Sequence, residues 1–192
     1  MELTLDLAKK WIKSFDQSIH NNKDYLNELD TAIGDGDHGT NMDRGAQQID
    51  SVLATESVDL SDLLKKVAFA LISKVGGASG PLYGTAFLDM SKKAKETNDL
   101  NTLIATGTNG VQRRGKAKLG DKTMLDVWQP VSEDMKNNAF NESNLQKHLE
   151  AEKPLVAKKG RASYLEGRSA NHLDPGAQSS YYLFNDLLKS MK

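Results

Sequence analysis

The sequence predicts an all-α fold. Three observations carry this: apolar residues recur at i, i+3, i+4 and i+7 along most of the 192 residues, strand-like alternation is nearly absent, and proline occupies only four positions. Leu5, Ala8, Trp11, Ile12, Phe15 and Ile19 set one apolar stripe, which places a first helix ending near "HNNK". Further stripes predict helices at 39–54, 60–75, 81–96, 100–116, 124–138, 142–158 and 177–190. Pro81, after "GGASG", and Pro175, after "HLD", suit the first turn of a helix, where no amide partner is lost. The stretch from 159 to 175, "KGRASYLEGRSANHLDP", has no helical period. A loop that long inside a compact domain is expected to be functional, and this one is rich in Gly, Arg and Ser.

A chain of 192 residues is expected to form a single domain, 1–192. Lys plus Arg at 25 against Asp plus Glu at 26 leaves no basic excess, so neither a nucleic acid nor an anionic membrane is expected as a partner. Without cysteine there is no disulfide framework, thiolate metal site or thiol nucleophile, which fits a reducing, cytoplasmic location. The N-terminal "MELTLDLAKKWIKSFDQSIH" mixes charge with apolar residues and does not read as a secretory signal. The longest apolar run, "VAFALI", is six residues, far short of the ~20 that span a bilayer.

The motif richest in chemistry is "AIGDGDHGTN" at 32–41. Gly34 to Gly39 satisfies GxGxxG, yet Asp35 and Asp37 would repel the anion that such a loop cradles. Together with Asp30, they form a set of hard oxygen donors of the kind Mg²⁺ prefers; a bound cation would reverse the local sign and bring phosphate in. An EF-hand reading fails, because Gly39 and Thr40 stand at the fifth and sixth positions of a loop begun at Asp35 and Ala46 at the twelfth. "VGGASGPLYGT" offers a second anion site, with Gly76 and Gly77 ending one helix and Ser79, Gly80 and Pro81 opening the next. A P-loop at Gly115 to Thr123 is excluded because Asp121 separates the second glycine from "KT". In "GRASYLEGRS", the guanidinium of Arg161 or Arg168 can meet two phosphate oxygens, and Asp174 can cap the last helix. His38 lies within the Gly/Asp loop and stands apart from His20, His148 and His172.

"GDGDHGTNMDRG", "GGASGPLYGT", "RGKAKLGDKTMLD", "GRASYLEGRS" and "HLDPGA" resemble, in order and spacing, the nucleotide-binding L-subunit family of dihydroxyacetone kinases, over essentially the whole chain. The resemblance implies a closed antiparallel barrel of about eight amphipathic helices with the nucleotide at one end. It implies that Asp30, Asp35 and Asp37 hold a pair of Mg²⁺ ions, and that His38, Gly39, Thr40, Asn41, Ala78, Ser79 and Gly80 bind the phosphates of ADP or ATP. Gly115, Leu119 and Met124 would lie by the adenine. Arg161, the implied catalytic residue, would close over the site with Asp174, Pro175 and Gly176. The chain departs from the family at two points: Glu166-Gly167 stands where Gly-Glu is usual, and Asn171 where a glycine precedes the histidine. The activity implied is phosphoryl transfer to dihydroxyacetone held on a separate K subunit, with a phosphocarrier M subunit of the phosphotransferase system recharging bound ADP. A freely exchanging ATP-dependent kinase subunit, and an ADP-sensing regulator that binds a transcription factor, are the alternatives. A homodimer is compatible with each.

Overall fold

Nine α-helices and one 3₁₀ segment account for most of the chain in the computed structural model, which describes residues 1–192. They are α1 (Leu5–Asn21), α2 (Lys23–Ile33), α3 (His38–Leu53), α4 (Leu60–Lys74), α5 (Ser79–Lys93), α6 (Leu100–Gly115), α7 (Leu125–Lys136), α8 (Glu142–Glu152) and α9 (Pro175–Ser190), with the 3₁₀ segment at Arg161–Ser169. The only extended pairing is a single bridge between Glu2 and Asp99. Several starts are capped as their residue types demand: Thr4, Asp59, Asp99, Asn141 and Asp174 each accept a hydrogen bond from an amide in the turn they open.

Packing closes these helices into a ring. α1 lies against α3, α3 against α4, and so on through α5, α6, α7, α8 and α9, which returns to α1. Eight helices therefore form the barrel wall. One apolar cluster with members from all nine helices fills it, from Trp11 and Phe15 on α1 through Tyr83 and Phe87 on α5 to Trp128 on α7 and Phe184 on α9. Neighbours in the wall alternate in direction, so α3, α5, α7 and α9 all begin at one end, where α4 and α6 finish.

α2 lies outside the wall against α3, α9 and the 3₁₀ segment. The sequence reading contains no separate helix here, because only Leu26, Asp30 and Ile33 are buried and their stripe is too narrow to stand out. The helix expected at 142–158 stops at Glu152. Pro154 accounts for this, since it has no amide to donate to the Glu150 carbonyl and its ring would clash there. The 159–175 stretch is not irregular throughout: residues 161–169 wind as 3₁₀ turns interrupted by a kink at Glu166, and Ala162 and Leu165 pack against Ile33 at the end of α2. α9 opens at Pro175, two residues before the 177 that periodicity gives.

Candidate functional site

The helix ends that meet at one mouth of the barrel enclose a cavity of about 630 Å³. Four helix starts face it: those of α3, α5, α7 and α9. The positive ends of four helix dipoles thus point at one volume, and the first-turn amides of α5 are not taken up by a side-chain cap, an arrangement that favours an anion of several charges.

Three carboxylates stand on its rim. Oxygens of Asp30, Asp35 and Asp37 lie within 4.8 Å of one another. Asp30 lies in the last turn of α2, and its Oδ2 accepts hydrogen bonds from the amides of Asp37 (2.9 Å) and His38 (3.1 Å), which folds the Gly/Asp loop back over it. Gly34 is required here because a Cβ would collide with Asp30 Oδ1. Gly36 sits at φ +77°, a left-handed turn that aims the two flanking aspartates to the same side. All-oxygen donors, two of them exposed to the cavity, fit a hard divalent cation that keeps part of its coordination for water and phosphate. Arg161 reaches this cluster from the 3₁₀ segment, its guanidinium 3.0 Å from Asp35 Oδ2.

The remaining wall divides by chemistry. Asn41, Gly76, Gly77, Ala78 and Ser79 line the side next to the carboxylates, while Leu82, Val111, Gly115, Ala117 and Met124 form an apolar side suited to a flat ring. Gly77 takes φ +65° and turns the chain from α4 into α5. His38 is 8% exposed, and burial pulls its pKa down to about 4, so the ring is neutral at pH 7. Asp174 caps α9 by accepting from the Ala177 amide at 2.8 Å; burial, reinforced by the nearby Glu152 carboxylate, raises its pKa to about 7.

The cavity brings together Asp30, Asp35, Asp37, His38, Asn41, Ala78, Ser79, Gly115, Met124, Arg161, Asp174, Pro175 and Gly176. Gly39, Thr40, Gly80 and Leu119 are not in its wall. Gly39 and Gly80 serve close packing instead, against the carbonyls of Lys23 and Val75, and Thr40 is bonded to Asn27 across the α2–α3 crossing. Leu119 is 55% exposed on the loop before α7.

Sequence reasoning overlooks Lys122. Its side chain is fully buried, with Nζ 3.2 Å from Glu152 Oε1 and donating to the carbonyls of Glu152, Lys153 and His172. Glu152 Oε2 in turn accepts from the Asp174 amide at 3.1 Å. Lys122 therefore ties the loop before α7, through the end of α8, to the turn before α9, and the first and last of these face the cavity. Only a φ of +59° turns Lys122 inward, and no spacing rule reports that.

Residues 32–189 match the family model described as "DAK2 domain". The chain is 50% identical over 188 residues to the PTS-dependent dihydroxyacetone kinase, ADP-binding subunit DhaL, of Lactococcus lactis, covering 97% of this chain and 98% of that protein. It is 35% identical over 209 residues to the PEP-dependent dihydroxyacetone kinase, ADP-binding subunit DhaL, of Escherichia coli K12, covering all of both chains. Among solved structures, it superposes on the dihydroxyacetone kinase of C. freundii in its native form with a TM-score of 0.79 at 24% identity, over 99% of this chain and 35% of that one. This last similarity concerns the fold, the same helical barrel.

Proposed function

Because the chain belongs to the DAK2-domain family, we propose that it is the ADP-binding subunit of a phosphoenolpyruvate-dependent dihydroxyacetone kinase, working as one unit over residues 1–192. The observation that carries the proposal is the meeting of three carboxylates, four helix starts and an apolar wall at a single cavity. Each answers one part of a metal-bound nucleotide: cation, phosphates and base.

In this reading Asp30, Asp35 and Asp37 hold a pair of Mg²⁺ ions. When bound, these ions neutralise phosphate charge and polarise the oxygens of the transferring group. The chain's own residues do the rest. Amides at the start of α5, with the side chains of Asn41 and Ser79, hold the phosphates in place, while Arg161 moves from Asp35 onto the terminal phosphate as a fixed cation. Leu82, Val111, Gly115 and Met124 enclose the adenine, and the Asp174–Gly176 turn closes the remaining side. No side chain here has to act as a nucleophile: the terminal phosphate of bound ATP would pass to a hydroxyl of dihydroxyacetone carried by a K subunit, leaving ADP, and a phosphorylated M subunit would return a phosphate to that ADP. Both must approach the mouth that holds the phosphates.

The test is nucleotide content followed by turnover. Protein purified without added nucleotide and desalted in Mg²⁺ should release near-stoichiometric ADP on denaturation, and an EDTA wash should strip it. Supplied with K and M subunits and phosphoenolpyruvate-derived phosphate, it should phosphorylate dihydroxyacetone, and Asp35→Asn or Asp37→Asn should abolish both retention and transfer. Weak, freely reversible ATP binding would indicate an exchanging kinase subunit. Tight ADP binding without any transfer would indicate a regulator, and no Mg²⁺-dependent nucleotide binding would overturn the assignment.

A further inference from the structure

A file of hydrogen-bonding side chains runs from the barrel core to the cavity. Trp128 Nε1 donates to Ser180 Oγ at 3.0 Å, and Ser180 Oγ lies 2.9 Å from Tyr83 Oη. Tyr83 Oη lies 2.8 Å from Ser179 Oγ, which lies 3.0 Å from His38 Nε2. On the far side of the imidazole, Nδ1 is 3.3 Å from Ser79 Oγ at the cavity wall. Trp128, Tyr83, Ser179 and Ser180 are all wholly buried, so no solvent intervenes to relax the order of donors and acceptors.

That order has a direction. An indole nitrogen can only donate, which makes Ser180 the acceptor at that step; accepting from Tyr83 as well would strand the buried Ser180 proton, whose only other partner in the file is Tyr83, so Ser180 donates there. Tyr83 must then donate to Ser179. The Ser179 proton has two acceptors in reach, the Gly176 carbonyl at 3.1 Å and His38 Nε2 at 3.0 Å. The imidazole nitrogen is the stronger base of the two, and accepting there completes a file in which each hydroxyl accepts once and donates once.

We infer that Ser179 is a positioning residue that holds His38 as the Nδ1–H tautomer, so that the ring donates to Ser79 Oγ and leaves the Ser79 proton for the anion in the cavity. The opposite tautomer would draw the Ser79 proton onto Nδ1 and leave a hydroxyl lone pair facing the anion. The directing group is Trp128, on the opposite side of the core. The inference rests on the nucleotide reading only for the identity of the anion; the orientation of the protons stands on the core alone.

The measurement is a long-range proton–nitrogen correlation spectrum of ¹⁵N-histidine-labelled protein near pH 7, with His38 assigned by its loss in His38→Gln. Nucleotide-free wild type is expected to show a pyrrole-type Nδ1 and a pyridine-type Nε2 at His38. A protonated Nε2, whether in the other tautomer or in an imidazolium, would overturn the inference without any variant having to fold. In folded Ser179→Ala, the ring should shift to the Nε2–H form or to a mixture, with ADP binding in Mg²⁺ weakened about tenfold, as for loss of a hydrogen bond to a charged group. An unchanged Nδ1–H ring in that variant would remove Ser179 from the role. A wild-type Nδ1–H ring in a protein that binds no ADP would refute the nucleotide assignment and leave the proton order intact.

Discussion

Glu166 and Asn171 sit at φ +52° and +66°, the left-handed region where a Cβ meets the backbone. They are also the two places where this chain departs from the glycines usual in the resembling family, so its backbone keeps the turns while its residues resist them. Asparagine tolerates this region through local hydrogen bonding, whereas glutamate has no such relief. Glu166→Gly should therefore raise stability by about 1 kcal/mol in urea unfolding, despite the greater freedom it gives the unfolded chain. Lys122 is the opposite case, a residue whose contacts exceed anything its neighbours in sequence suggest. Lys122→Met should cost about 3–5 kcal/mol, because it leaves Glu152 buried without a counter-charge and three carbonyls without a donor. The carboxylates of the Gly/Asp loop were legible in sequence because their spacing along the chain is short enough to force them together. Lys122, Glu152 and Asp174 were not, because only tertiary folding joins three segments whose local patterns are unremarkable.

At the scale of elements, the α1–α3 seam carries a second acidic pairing. Asp16 is buried there beside Asp50, with Asp43 and His20 also facing it, and its pKa rises to about 7, first from burial and then from repulsion by Asp50. A carboxyl whose folded pKa is raised favours the fold when protonated, so the penalty is absent below about pH 4, grows through pH 4–7 and is complete above it. Asp16→Asn should leave stability unchanged at pH 4 and improve it at pH 8, by an amount on the order of 1 kcal/mol, measured as paired thermal melts. Periodicity located the wall helices because each buries a broad stripe against two neighbours. It passed over α2, which touches the barrel on one narrow side, and it carried α8 past Pro154 because apolar spacing alone says nothing of backbone clash. α2 nonetheless governs the site. Gly39 at the start of α3 lets the Lys23 carbonyl approach to the point where no side chain fits, and this crossing sets where α2 delivers Asp30.

For the whole molecule, the sequence disclosed the wall helices but not their neighbours. Nothing in an amphipathic stripe states which partner covers it; the resemblance implies a closed barrel, and packing alone displays the order of helices around it. An even number of wall helices is what allows every neighbour to run opposite to the last, and it collects four starts at one mouth. The same closure brings α9 back beside α1, with the start of α1 and the end of α9 both away from the cavity. The order in which the chain visits the wall is therefore separable from the architecture. A circular permutant that joins Lys192 to Met1 through a short flexible linker, and opens at the exposed Thr55 between α3 and α4, should fold to the same barrel and bind ADP with Mg²⁺ as the parent does. Calorimetric titration would read this directly. What the barrel conserves is a cycle, and the point at which translation enters that cycle is free to move around its closed end.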